Sequence, residues 1–133
     1  MSGRLVLDAS TAVHVVMRDA QAPPLIHHLQ AATLVLAPRL FAAEISNASG
    51  KDFRSGWLDP NAAQQRLAEG LALTDRLEGD EHLVHEALLE SGLRSHPVYD
   101  LLYLVLARRH GANLLTGDKR LAELSQDLGI AGR

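Results

Sequence analysis

The sequence contains no cysteine, which removes disulfide frameworks and thiolate metal sites and makes the cytoplasm the expected compartment. It has no run of eighteen or more apolar residues, so no membrane span is expected. The first apolar run, Leu5-Val6-Leu7, is cut by Asp8 and is too short for a signal-peptide core. Only 4% of residues are aromatic, too few for a stacking platform of the kind that grips single-stranded nucleic acid. Positive charge is not in excess either: the formal charge is −3 and the pI about 6.1. That balance argues against a passive, high-affinity nucleic-acid binder. It leaves open an enzyme whose bound cation reverses the local field. No repeat, low-complexity tract or long linker divides the chain.

What is present is 133 residues, 47% of them hydrophobic. One domain spanning 1–133 can then bury roughly two-thirds of its unfolded surface. Residues 4–8 form an apolar run ending in an acid and read as a central parallel strand. Ser10 or Thr11 is a candidate N-cap for the helix that follows, with Asp8 as a second capping residue. Leu25, Ile26 and Leu29 fall at helical spacing after Pro23-Pro24, and 33–37 reads as a second strand. Pro38 is expected to open a helix over about 39–49, because a missing N–H costs little there. Residues 51–59 are polar, contain Gly56 and read as a loop. Asp59-Pro60 opens a helix to about residue 71, followed by a weak strand over 71–77. Asp80 is expected to cap a further helix with Val84, Ala87 and Leu88 inward. Residues 112–116 read as a buried strand, 119–128 as a helix, and Gly129-Ile130 as a short edge strand. Strands alternating with crossover-length helices predict an α/β fold with an open parallel sheet flanked by helices.

The stretch 98–107 is apolar or aromatic at every position but Asp100. A helix apolar all round is normally buried, so Asp100 is expected at the edge of the core. The helix dipole favours an anion there by only about 0.3–1 kcal/mol, whereas desolvating a charge costs several kcal/mol. A divalent cation would supply the missing compensation. Three more acids stand apart from the sixteen in the chain. Asp8 and Asp118 each follow a predicted strand, and open parallel sheets bind ligands outside the carboxyl ends of their strands. Glu44 lies on the apolar stripe made by Leu40, Phe41, Ile45 and Ala48, with Asn47 able to orient it. Asp8, Glu44, Asp100 and Asp118 gathered at one edge would repel one another. Hard oxygen donors in that number suit Mg²⁺ or Mn²⁺.

Together these stretches resemble a known family: Leu7-Asp8-Ala9-Ser10, Pro38 to Glu44-Ile45-Ser46-Asn47, Tyr99-Asp100-Leu101-Leu102-Tyr103, and Leu115-Thr116-Gly117-Asp118-Lys119-Arg120-Leu121. The pattern is similar to the PIN domain, and within it to VapC-type toxins of bacterial VapBC toxin–antitoxin pairs. The resemblance implies a parallel α/β fold and Mg²⁺- or Mn²⁺-dependent endoribonuclease activity. It also implies a homodimer and a small VapB-like antitoxin over the active site. By motif match Asp8, Glu44, Asp100 and Asp118 stand where the family has its catalytic, metal-binding acids, and Ser10 and Thr116 where it has supporting hydroxyls. Arg39, Lys51, Arg54, Lys119 and Arg120 neighbour these motifs and are the candidate RNA phosphate contacts. Phe53, Trp57 and Leu58 interrupt a polar stretch, either anchoring it or forming a partner-facing patch.

Alternative readings are a receiver-like signalling module with an acidic Mg²⁺ pocket, and a PIN nuclease outside a toxin–antitoxin pair. The receiver reading requires a phosphorylatable mid-chain acid, and Asp75 is the candidate. A zinc hydrolase would have to use His82 and His85, which are not in the His-Glu-x-x-His order of zinc proteases.

Overall fold

The structure, a computed structural model, describes residues 3–130. Its elements in order are β1 (Arg4–Leu7), α1 (Ala9–Met17), α2 (Ala22–Ala31), β2 (Leu34–Pro38), α3 (Leu40–Arg54) and α4 (Pro60–Ala72). There follow β3 (Arg76–Glu78), a 3₁₀ turn at Asp80–His82, α5 (Val84–Arg94), α6 (Val98–His110), β4 (Asn113–Leu115) and α7 (Lys119–Asp127). The four strands form one parallel sheet in the order β3-β2-β1-β4, as the alternation of strands and helices predicts.

Side chains alternate across a strand, and here the alternation divides the core into two layers. Val6, Leu36 and Leu114 face a cluster containing Leu83, just before α5, and Leu101, Leu104, Leu106 and Leu121 from the later helices. Leu5, Leu7, Val35, Ala37 and Leu115 face the opposite cluster with Ala12, Phe41 and Ile45. α6 is the central helix: seven consecutive residues, Leu101 to Ala107, are buried. It ends at Gly111, whose φ of 58° lies in the left-handed region, where glycine carries no Cβ penalty.

Several boundaries differ from the sequence expectation. Asp8 itself is the N-cap of α1, accepting from the Thr11 N–H at 2.8 Å, whereas Ser10 and Thr11 lie inside the helix. Pro38 closes β2 instead of opening α3, since the Arg39 N–H continues the ladder to the Glu78 carbonyl at 2.8 Å. The expected loop at 51–59 is helical as far as Arg54, held by an Asp52–Arg66 ion pair between α3 and α4. β3 is shorter than expected because Leu71 and Ala72 belong to α4. Gly129 and Ile130 form no strand: the Ile130 N–H donates to the Ser125 carbonyl at 2.8 Å, closing the end of α7.

The inner face of α5 also differs. Ala87 is buried as expected, but Val84 is 38% and Leu88 65% exposed, and Leu83 and Glu90 are the other inward residues. Glu90 can turn inward because Arg94 and Arg108 lie beside its carboxylate, a pairing that hydrophobic periodicity does not register. Asp80 does not cap α5. Its carboxylate accepts from the Leu40 N–H at 3.2 Å, satisfying the first turn of α3 from forty residues away. Among the described residues no helix is long and apolar enough to cross a membrane.

Candidate active site

Strand order reverses direction between β1 and β4, because β2 and β3 extend from β1 on one side and β4 joins on the other. This is the switch point where parallel sheets open a crevice beyond their carboxyl ends. An open cleft of about 200 Å³ lies there, lined by Asp8, Ala9, Ser10, Glu44, Asp100, Tyr103, Asp118 and Leu121. All four singled-out acids therefore reach one cleft, from the end of β1, from α3, from α6 and from the turn after β4. A larger groove of about 540 Å³ is lined by Val15, Val16, Arg18, Ile26, Gln30, Glu69 and Leu73. It holds a single acid and lies away from the strand ends, so it offers no comparable chemistry.

Asp8 is buried, 5% exposed, and its charge is met by three donors. Oδ1 accepts from the Thr11 N–H at 2.8 Å and the Ser10 hydroxyl at 3.2 Å, and Oδ2 accepts from the Thr116 hydroxyl. Thr116 Oγ1 in turn accepts the Asp118 N–H at 3.0 Å, and Thr11 Oγ1 accepts the Gly117 N–H at 3.1 Å. The loop after β4 is thus pinned to the start of α1, which places Asp118 on the same cleft as Asp8. Asp118 caps α7 through Oδ1, taking the Arg120 and Leu121 N–H groups at 2.9 and 3.1 Å.

Glu44 is half-buried on α3, and the Tyr103 hydroxyl donates to its Oε1 at 2.5 Å. Burial raises its pKa above the ordinary glutamate value; the Tyr103 bond opposes the shift, and the charges of Asp100, Asp8 and Asp80 add to it. Burial and the Glu44 charge together hold the Tyr103 phenol well above its usual value. Asn47 is exposed and makes no hydrogen bond to Glu44 among the described residues, so Tyr103 takes the orienting role expected of it.

Asp100 is less desolvated than its helix suggested. Its side chain is 41% exposed, because the first turn of α6 projects at the cleft rim, and it is paired with a histidine. His96 Nε2 lies 2.7 Å from Asp100 Oδ2. His96, which pairs with Asp100, and Tyr103, which lines the cleft, escaped the sequence reading as site residues. A histidine four residues before Asp100, and a phenol three residues after it in an otherwise apolar helix, are the signals that point to them.

Arg39, Lys51, Arg54, Lys119 and Arg120 are all exposed. None lines the cleft, and among the described residues none forms an ion pair. His82 and His85 are exposed, and His82 approaches only Glu81, at 3.6 Å. Asp75 ties two strands together, its Oδ2 accepting from the Val35 N–H at 2.7 Å. That is a structural use at the entry to β3, at the opposite end of the strand from a receiver's phosphorylation site.

The donor set fits a hard divalent cation: carboxylates with neighbouring hydroxyls, and no sulfur. Among the described residues, however, no three histidine or acidic side chains are already drawn together closely enough to hold one ion. Ligation by this set therefore requires side-chain rotation or bridging water, and a 200 Å³ cleft has room for both. Mg²⁺ commonly retains several waters in such sites.

No curated protein matches this sequence. Among solved structures, PAE2754 from Pyrobaculum aerophilum superposes with a TM-score of 0.75 at 25% identity, over 99% of this chain and 92% of that one. VapBC2 from Rickettsia felis, bound to a DNA fragment from its promoter, superposes with a TM-score of 0.69 at 14% identity. That match covers 98% of this chain and 97% of the other, and it speaks for the fold alone. The PIN-domain profile matches residues 5–126, and PIN domains are generally nucleases that use divalent metal ions. The chain belongs to the PIN-domain family.

Proposed function

We propose that this protein is a Mg²⁺- or Mn²⁺-dependent endoribonuclease acting as the toxin of a toxin–antitoxin pair in the cytoplasm. The observation that carries the reading is the convergence of Asp8, Glu44, Asp100 and Asp118, from four separate stretches of chain, on one cleft at the switch point of the sheet. A divalent cation, when bound, lowers the pKa of water and offsets charge on phosphate oxygens.

The protein's own groups do the rest. Asp8, held by three donors, and Asp118, linked to it through Thr116, form the rigid side of the cation site. Asp100 faces them from α6. Glu44 orients the attacking water and takes its proton, and its raised proton affinity makes it a better acceptor near neutral pH. Arg39, Lys51, Arg54, Lys119 and Arg120 remain free to meet RNA phosphates outside the cleft. In-line attack leaves a 5′-phosphate and a 3′-hydroxyl.

A VapB-like antitoxin and a second copy of the chain are the proposed protein partners. Exposed apolar side chains support both: Phe53 in the last turn of α3 and Trp57 just beyond it, and Leu88, Leu89, Leu93 and Tyr99 on α5 and α6. Incubating purified protein with structured RNA in Mg²⁺ or Mn²⁺ tests the activity. Cleavage that stops with a chelator and in Asp100→Asn is the expected result. Full cleavage by Asp100→Asn, or in chelator, overturns the assignment.

A further inference from the structure

His96 lies between α5 and α6, where its side chain is 6% exposed, and no element of the proposed chemistry uses it. Its backbone is tied twice to the end of α5: the Ser91 hydroxyl donates to the His96 carbonyl at 2.5 Å, and the His96 N–H donates to the Ser91 carbonyl at 3.3 Å. Ser95 before it adopts the left-handed conformation, φ 52°, and Pro97 after it has a restricted φ. The imidazole is therefore delivered to a fixed place. There Nε2 meets Asp100 Oδ2 at 2.7 Å, while Nδ1 is buried with no partner. An ionised carboxylate only accepts, so Nε2 carries the hydrogen.

Fold stability does not account for this arrangement. A buried nitrogen without a partner costs free energy, and a hydrogen bond to a carboxylate that is 41% exposed returns little, because water competes for it. Nor does the side chain cap α6, whose N-terminus has no side-chain capping bond. What the contact does achieve is to fix one oxygen of Asp100 at the cleft rim. The other acids each have such a support: Thr11, Ser10 and Thr116 for Asp8, Tyr103 for Glu44, and the α7 amides for Asp118.

We propose that His96 is a positioning residue whose Nε2–H fixes the Asp100 carboxylate toward the cleft, and that it sets the affinity for the divalent cation without touching it. This rests on the reading of the cleft as a cation site. Groups that orient metal ligands through hydrogen bonds typically change affinity about 10–100-fold when removed.

Mn²⁺ binding to the full chain, followed by electron paramagnetic resonance, tests it with wild type, His96→Leu and His96→Gln. His96→Leu is expected to bind Mn²⁺ about 10–100-fold more weakly with its metal-free melting temperature not lowered. His96→Gln, which retains an N–H donor, is expected to recover most of the affinity. Equal affinity in wild type and His96→Leu overturns the proposal alone, as does a loss in His96→Gln as large as in His96→Leu. A wild type that takes up no Mn²⁺ overturns the cation reading, and the proposal with it. If His96→Leu does not fold, nitrogen-detected NMR of wild type decides. An Nε2–H tautomer that responds to Asp100→Asn is expected, and an Nδ1–H tautomer contradicts the proposal.

Discussion

Asp8 shows how one residue serves the fold and the cleft together. As a helix N-cap it is worth about 0.5–2 kcal/mol, yet a cap does not require the two further hydroxyl donors it receives. Asp8→Asn separates the roles. The amide oxygen can still accept from Thr11, and Thr116 can turn its hydroxyl to accept from the amide nitrogen. The variant should therefore fold, with a denaturation midpoint near that of wild type, and show no RNA cleavage; wild-type cleavage would exclude Asp8 from the chemistry. Glu44 gives a second residue-scale test. Its pKa is raised in the folded state, so just above the ordinary glutamate value the native protein holds a proton that the unfolded chain has released. Stability of the metal-free protein should then fall as pH rises through that window. Glu44→Gln should flatten this slope, and identical pH profiles of the midpoint would contradict it. The four acids stand out in the sequence by position, Asp8 and Asp118 after strands and Glu44 and Asp100 among apolar helix residues, although Asp100 and Asp118 keep much of their solvent exposure. Their partners were less legible: His96 and Tyr103 become site residues only once α6 is packed, and Asn47 looked better placed than it is.

At the scale of elements, α6 organises both the core and the cleft. Leu106 is fully buried on it, and Leu106→Ala should cost about 2–5 kcal/mol through lost burial and the cavity left behind, read from chemical denaturation. A loss under about 1 kcal/mol would mean that the helix is less tightly packed than its burial indicates. The sequence revealed this helix readily because its composition admits no solvated face, and Gly111 marks its end. α5 was misread in phase because its inner face carries Glu90, neutralised by arginines from its own last turn and from α6. The expected loop at 51–59 is right for 55–59 and wrong for 51–54, because a last helical turn held to its neighbour by the Asp52–Arg66 pair has no apolar periodicity of its own. Asp80 was assigned to the nearest helix, whereas its amide partner lies forty residues earlier. Such long-range pairing leaves no trace in local spacing.

Taken whole, the molecule is a small parallel sheet whose strand order opens an acidic crevice. The alternation of strands and helices made that architecture readable, since few topologies satisfy short right-handed crossovers. The repulsion gathered in the cleft predicts that a cation stabilises the folded protein. A ligand that binds only the native state adds RT ln(1 + [L]/Kd), about 2.7 kcal/mol at a hundredfold excess over Kd. Melting temperature should therefore rise with millimolar Mg²⁺ or Mn²⁺, and less so in Asp8→Asn. Trp57, 84% exposed, should report a partner covering the α3–α4 turn through a blue-shifted emission. Unchanged emission on binding of a small antitoxin would place that interface elsewhere. The most direct test of the shared acidic site is anomalous diffraction from crystals soaked in Mn²⁺. The expected result is a peak in the cleft, within direct or water-bridged reach of Asp8, Glu44, Asp100 and Asp118. Saturating Mn²⁺ with no peak there, or with its peak at another surface, would contradict it.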